Sequence, residues 1–171
     1  MLRAWVSVGS NIERDRHVLA AIAGMQQAFG DLVLSPVYET PAEGFDGDPF
    51  LNLVVGFRTE LSPSELHHQL REIETVNGRT RSAEKFSART LDLDLLTYGD
   101  VVTNEAGKDL PRDEILKYAF VLKPLADVAA DEFHPQLKQS YGQLWREFKG
   151  QREGLEVYDL DVSSALVSGF E

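Results

Sequence analysis

The chain has 171 residues, 43% of them hydrophobic and 26% charged, which is enough for one globular domain and little more. Its 17 basic and 28 acidic side chains leave a net charge of −11, which excludes an overall electrostatic grip on nucleic acid or an anionic membrane. Cysteine is absent, so disulfides, thiolate metal sites and a cysteine nucleophile are excluded. No apolar run approaches the ~20 residues that span a bilayer. The N-terminus runs straight into a strand-like pattern, so no secretory signal is expected and a cytoplasmic location is the default.

Residues 3–9 are β-favouring and end in Gly9-Ser10-Asn11, the pattern of a buried strand closed by a turn. Val18, Ile22, Met25 and Phe29 then recur at helical spacing, predicting a helix over 14–29 that Gly30 ends. Residues 31–38 read as a second strand, followed by a loop over 39–49 that is long for a plain connection. A third strand is expected over 50–59. It turns Leu51, Leu53, Val55 and Phe57 to one side and Phe50, Asn52, Val54 and Arg58 to the other.

Ser62-Pro63-Ser64-Glu65 carries a capping box with proline in the first turn, and so opens a second helix. Leu66, Leu70 and Ile73 form its buried stripe, and Asn77-Gly78 ends it. A loop over 79–88 leads to a fourth strand over 90–98. The order βαββαβ is that of an α+β, ferredoxin-like fold: an antiparallel sheet with both helices on one face. A single domain is expected over 1–150. It contains a partly helical stretch at 121–130 and a short amphipathic helix marked by Tyr141, Leu144, Trp145 and Phe148. Residues 151–171 hold one basic and five acidic side chains and read as an extension of that domain, a late strand plus a loose tail.

The acidic average hides a basic island. Arg71, Arg79, Arg81, Lys85 and Arg89 place five of the 17 positive side chains within 19 positions. Asp92 and Asp94 follow at once. Residues two apart on a strand point the same way, so the two carboxylates share one face while Leu91, Leu93 and Leu95 take the other. Like charges placed together repel unless a cation or arginines sit nearby. The combination points to a magnesium–polyphosphate site, because Mg²⁺ takes one or two protein carboxylates and completes its shell with water and phosphate oxygens. Arginines then clamp the remaining phosphate charge. An alternating Leu–Asp strand is also what a half-exposed strand with a solvated face looks like.

The string Arg89-Thr90-Leu91-Asp92-Leu93-Asp94 resembles the signature of the 6-hydroxymethyl-7,8-dihydropterin pyrophosphokinases of folate biosynthesis. Val8-Gly9-Ser10-Asn11, Tyr38-Glu39-Thr40-Pro41, Phe50-Leu51-Asn52, Ile73-Glu74 with Gly78-Arg79, Phe120-Val121-Leu122 and Pro124-Leu125 agree in order and spacing over residues 3–148. The resemblance implies transfer of pyrophosphate from MgATP to the hydroxymethyl group of a reduced pterin, releasing AMP. It implies Asp92 and Asp94 as ligands of two magnesium ions, and Arg79 and Arg89 as the catalytic arginines. Glu74, Arg71, Arg81, Phe86, Leu95 and Arg112 fall on the nucleotide side. Thr40, Pro41, Phe50, Asn52 and Phe120 fall on the pterin side. ATP and the pterin are then the small-molecule partners, with no nucleic acid or membrane, and the assembly is expected to be a monomer or weak dimer.

The chain departs from the family pattern in three places. Phe86-Ser87-Ala88 stands where Trp-Gly-Pro is usual, Arg112-Asp113 where a histidine and an aromatic are common, and Tyr118 where an arginine often precedes the phenylalanine. Arg112 is the expected substitute for a phosphate contact. The changed residues leave open a relative acting on a different reduced pterin. A non-catalytic ferredoxin-like module that binds nucleotide or protein is the alternative from another class, distinguished by absence of turnover. His67 and His68 are expected as surface groups of the second helix, and His17 and His134 show no metal pattern.

Overall fold

The structure is a computed structural model and describes residues 1–41, 47–78, 90–104 and 109–166. The expected loop over 79–88 and Arg79, Arg81, Lys85, Phe86 and Arg89 lie outside the described residues. Six strands form one antiparallel sheet: β1 (Leu2–Ser10), β2 (Val33–Leu34), β3 (Tyr38–Thr40), β4 (Phe50–Thr59), β5 (Asp92–Tyr98) and β6 (Glu156–Val157). Their order is β5-β1-β4-β3-β6, with β2 also paired to β4. Among the described residues five α-helices pack on the sheet: α1 (Arg14–Phe29), α2 (Pro63–Val76), α3 (Glu114–Lys117), α4 (Ala119–Ala129) and α5 (Tyr141–Arg146). No helix among the described residues is long and apolar enough to cross a membrane.

The central strands β1 and β4 are buried on both faces, and this creates two cores. One face gathers Val6, Val8, Leu51, Leu53, Val55, Phe57 and Leu93 against Val18, Ile22 and Met25 of α1 and Leu66 and Leu70 of α2. Phe29 stacks on Phe57 at 4.2 Å and fixes the end of α1 to the sheet. The opposite face packs Trp5, Val54 and Leu96 against Ile115, Val121, Leu122, Leu125 and Tyr141 of α3, α4 and α5. The Trp5 ring lies over Gly56, where an added Cβ would meet it at 2.3 Å, so only glycine fits there. The indole N–H of Trp5 donates to Glu132 (2.9 Å), tying the sheet to the turn after α4.

Local chemistry explains several boundaries. The Ser62 hydroxyl accepts from the Glu65 N–H (3.1 Å), and the Glu65 carboxylate accepts from the Ser62 N–H (2.9 Å), completing the capping box of α2. The strand expected over 31–38 is instead interrupted. Pro36 has no N–H to give a ladder, and the Ser35 hydroxyl accepts the Val54 N–H (2.9 Å), so β2 stops at Leu34 and β3 resumes at Tyr38. In the tail, β6 pairs with the outer edge of β3, and Ala165 enters the core.

His67 is buried among the inward side chains of α2, not on its surface, because it lies one position after Leu66 on the covered side. His68 is exposed and pairs with Glu72. His134 is buried, and its Nδ1 accepts from the N–H groups of Gln136 and Leu137, both at 3.2 Å. Burial holds its imidazole below the ordinary value, so the unfolded chain takes up the proton first. The stability His134 contributes is therefore complete above pH ~6.5 and is lost as pH falls below it. Between pH 7.5 and 5.5 the wild type is expected to lose more stability than a His134→Asn variant, measured as the difference in urea midpoints. Equal losses would remove His134 as the cause.

Candidate active site

The two aspartates stand on β5 opposite Ser7 and Gly9 of β1. Gly9 pairs on its other side with Asn52 of β4, and Asn52 pairs with Tyr38 of β3. Cross-strand partners share a face, so Asp92, Gly9, Asn52 and Tyr38 form one row across the sheet. The faces also follow the alternation read from the sequence: Leu91, Leu93 and Leu95 enter the core beneath α1 and α2, and the acids turn away from it. Leu95, expected among the nucleotide contacts, is 1% exposed in that core. Its odd position on β5 sends its side chain to the face opposite the aspartates.

Asp94 is flanked by two guanidinium groups. Arg71 of α2 lies 3.8 Å from its carboxylate. Arg112 also acts on it electrostatically, and is itself held by Glu114 through hydrogen bonds of 2.5 and 3.3 Å. The Arg112 N–H donates to the Leu96 carbonyl (2.9 Å), which lays this segment beside β5. Burial, and then the neighbouring Asp92, push the Asp94 carboxyl up to about 7 against the opposing pull of Arg112 and Arg71. Two like-facing carboxylates, with Asp94 raised by burial and by its neighbour, are a set of hard oxygen donors lacking sufficient positive charge, which fits a divalent cation such as Mg²⁺. Among the described residues no cluster of three or more His, Cys, Asp or Glu could hold a metal ion, so the dyad is the candidate.

Glu74 was expected on the nucleotide side. It is 0% exposed, and its two oxygens accept from Arg71 (2.8 Å) and from the Leu93 N–H (2.7 Å). The carboxylate is thus spent inside the protein, because α2 packs its last turns against the outer edge of β5.

At the other end of the row, Asn52 is buried and donates through Nδ2 to the Thr40 hydroxyl (2.8 Å), so Thr40 fixes which way the amide faces. An added Cβ at Gly9 would stand 3.2 Å from Asn52 Oδ1 and 3.8 Å from the Phe50 ring. The bare glycine therefore lets both side chains lean over β1 between the amide and the acids. Phe120, at the start of α4, packs on the core of this same face and stacks on Tyr118 with ring centres 5.0 Å apart. Pro41 is exposed and lies against Gly154, where an added Cβ would meet its ring at 3.0 Å. Gly9→Ala is expected to raise KM for the substrate at the Asn52 end several-fold and leave KM at the aspartate end within twofold. Equal change in both would contradict the assignment of Gly9 to one subsite.

Several anchoring residues carried too little signal to be singled out from the sequence. The Ser10 hydroxyl donates to the Thr90 carbonyl (2.5 Å) and fixes the chain just before β5. Asn11 donates to the Asp48 carbonyl (3.1 Å), and Arg14 to the Pro49 carbonyl (3.1 Å) and to Glu39 (2.5 Å). Together they hold both ends of the connection between β3 and β4. Gly9-Ser10-Asn11 was visible as a turn and as part of the family resemblance, but the partners of Asn11 and Arg14 lie far along the chain.

The 7,8-dihydro-6-hydroxymethylpterin-pyrophosphokinase (HPPK) family model matches residues 5–130. A 2-amino-4-hydroxy-6-hydroxymethyldihydropteridine pyrophosphokinase of Porphyromonas gingivalis is 38% identical over 145 residues, covering 80% of this chain and 96% of that protein. The chain belongs to the HPPK family. A pyrophosphokinase of the same description from Aquifex aeolicus is 30% identical, covering 87% of this chain and 91% of that one. The folic acid synthesis protein fol1 of Pneumocystis carinii is 35% identical over 134 residues, covering 77% of this HPPK chain but only 18% of that longer protein. The HPPK-DHPS of Plasmodium falciparum superposes with a TM-score of 0.70 over 86% of this chain and 43% of that chain. At 12% identity that match speaks for the fold alone. The antiparallel sheet with helices packed upon it is the HPPK fold.

Proposed function

We infer that this chain transfers pyrophosphate from ATP to the hydroxymethyl group of 6-hydroxymethyl-7,8-dihydropterin in folate biosynthesis. One observation carries the reading of the site. A row of cross-strand partners on one face joins Asp92, beside the Asp94 that Arg71 and Arg112 face, at one end, to the buried amide of Asn52, with the Phe50 ring also close to Gly9, at the other. The first is the chemistry of a metal–polyphosphate subsite and the second that of a flat, hydrogen-bonding heterocycle.

The pterin is a planar ring with a pyrimidinone edge carrying both donors and acceptors. Asn52 offers Oδ1 and its second amide proton to that edge, with Thr40 holding the amide in one orientation. Phe50 and Phe120 cover the ring, since offset stacking suits a flat heterocycle. Pro41 shapes the entry to this subsite. On the nucleotide side, Arg71 and Arg112 stand beside the dyad and face the phosphates. Arg112 can release Glu114 for a phosphate oxygen, one charge-assisted pair replacing another.

Asp92 and Asp94 would hold Mg²⁺, two ions being the family expectation, which supplies charge neutralisation for the triphosphate oxygens. In the reaction the hydroxymethyl oxygen bonds to the β-phosphorus, and the bond from that phosphorus to the α–β bridging oxygen breaks. The electron pair stays on AMP, and the hydroxyl proton is released to solvent. Arg79 and Arg89 are proposed to meet the charge that builds on the bridging oxygen, with Arg81 and Phe86 on the nucleotide.

The test is product identity. Incubation with MgATP and 6-hydroxymethyl-7,8-dihydropterin is expected to yield AMP and the pterin pyrophosphate in equal amounts. ADP in place of AMP, or no turnover by folded protein, would overturn the reading. Presenting several reduced pterins side by side measures whether the changed residues at 112, 113 and 118 shift specificity.

A further inference from the structure

We infer that Glu74 is a positioning residue that, together with Arg71, acts as a surrogate strand along the outer edge of β5 and sets the direction of Asp92 and Asp94. Among the described residues the strand order leaves β5 with β1 on one side and no strand on the other. Along an antiparallel strand, alternate residues turn their N–H and C=O outward. Leu93 does so here, toward α2. Its N–H donates to Glu74 Oε2 (2.7 Å) and its carbonyl accepts from Arg71 (3.1 Å). Arg71 in turn donates to Glu74 Oε1 (2.8 Å), closing the ring.

The position of Leu93 gives this ring its consequence. Its N–H belongs to the peptide shared with Asp92, and its carbonyl to the peptide shared with Asp94. Holding both peptides fixes the Cα–Cβ directions of the two acids at once. On an edge strand nothing else of the sheet would do this from the outer side. The complete burial of the Glu74 carboxylate fits the role, since a buried charge persists only with such partners. The same burial argues against direct contact with the nucleotide. Arg71 completes the link, touching the ring with one nitrogen and facing Asp94 with the other at 3.8 Å.

This inference rests on the proposed cation role of Asp92 and Asp94, and its test separates the two. Glu74→Gln preserves shape and removes the charge that holds Arg71. Binding of the α,β-methylene analogue of ATP in excess Mg²⁺ is expected to weaken about tenfold or more, the usual effect of losing a group that orients ligands. The loss is expected to be the same for the 2′-deoxy and 3′-deoxy forms of the analogue, and to disappear when EDTA removes the metal. Pterin binding stays within twofold. Exchange of the Leu93 amide, followed by NMR, is expected to quicken while that of Asp94 does not.

Glu74→Met, which keeps the volume but offers no acceptor to the Leu93 N–H or to Arg71, is expected to reproduce the metal-dependent loss. It carries the same comparison if Glu74→Gln does not fold. A loss that vanishes against one deoxy analogue would make Glu74 a ribose contact, and a loss that persists in EDTA would make its role general; either overturns the inference, as does unchanged binding. The Leu93 amide reports the clamp whether or not AMP is the product.

Discussion

Replacing Asp94 by Asn is expected to lower pyrophosphate transfer by about a thousandfold or more and, at the same time, to make the ligand-free protein more stable. Both effects have one cause. The carboxyl is partly buried beside Asp92, and these two influences push it up to about 7 despite Arg112 and Arg71. At pH 8 the ionised group therefore works against the folded state. An acid raised in this way favours folding at low pH, and that contribution is lost as pH rises through the window from ~3.8 to ~7. Asparagine keeps the shape and removes the charge, although it leaves two arginines with less to face. The net gain is expected to be of order 2 kcal/mol at pH 8, fading by pH 4. Urea denaturation at the two pH values measures it. A destabilised variant at pH 8 would show that the arginines more than compensate the dyad. Added Mg²⁺ and the α,β-methylene analogue should reverse the ranking, stabilising the wild type and leaving the variant unmoved. The site thus trades stability of the empty protein for charge complementarity to its ligands.

What could be read from the sequence divides along physical lines. Features fixed by local chemistry were legible. The heptad-like spacing of Val18, Ile22, Met25 and Phe29 placed α1, alternation placed β4, and Ser62 with Glu65 placed the start of α2, because each signal is complete within one element. The shared face of Asp92 and Asp94 was legible for the same reason, as period 2 leaves no choice. Features set by how elements meet were not. The resemblance put Leu95 and Glu74 on the nucleotide side, and that the packing of α2 against β5 buries both side chains could not be read along the chain. His67 could be sorted from His68 only once α2 had a covered side. The break at Pro36 was hidden by the apolar run around it, and depends on Ser35 meeting a backbone group of β4. The short helix α3 has only four residues, too few for any period to show, yet it carries the glutamate that holds Arg112.

A loss that falls on turnover far more than on binding is expected from Arg89→Ala. Arg89 lies outside the described residues, but its successor does not: the Thr90 carbonyl is held by Ser10, and Asp92 follows two positions on, in register with Gly9. The chain at that point is therefore tied to the strand that separates the carboxylates from Asn52. A guanidinium attached there is proposed to meet the α–β bridging oxygen, where negative charge is greatest in the transition state and small in bound ATP. Its loss should then act on kcat, by about 10²–10³-fold, and alter the dissociation constant of the α,β-methylene analogue only a few-fold. Parallel losses in both would instead assign Arg89 to ground-state binding. Arg89→Lys discriminates further. Lysine restores the charge but not the planar fork, so a substantial deficit in kcat should remain if two directed hydrogen bonds are needed, whereas near-complete recovery would show that charge alone suffices.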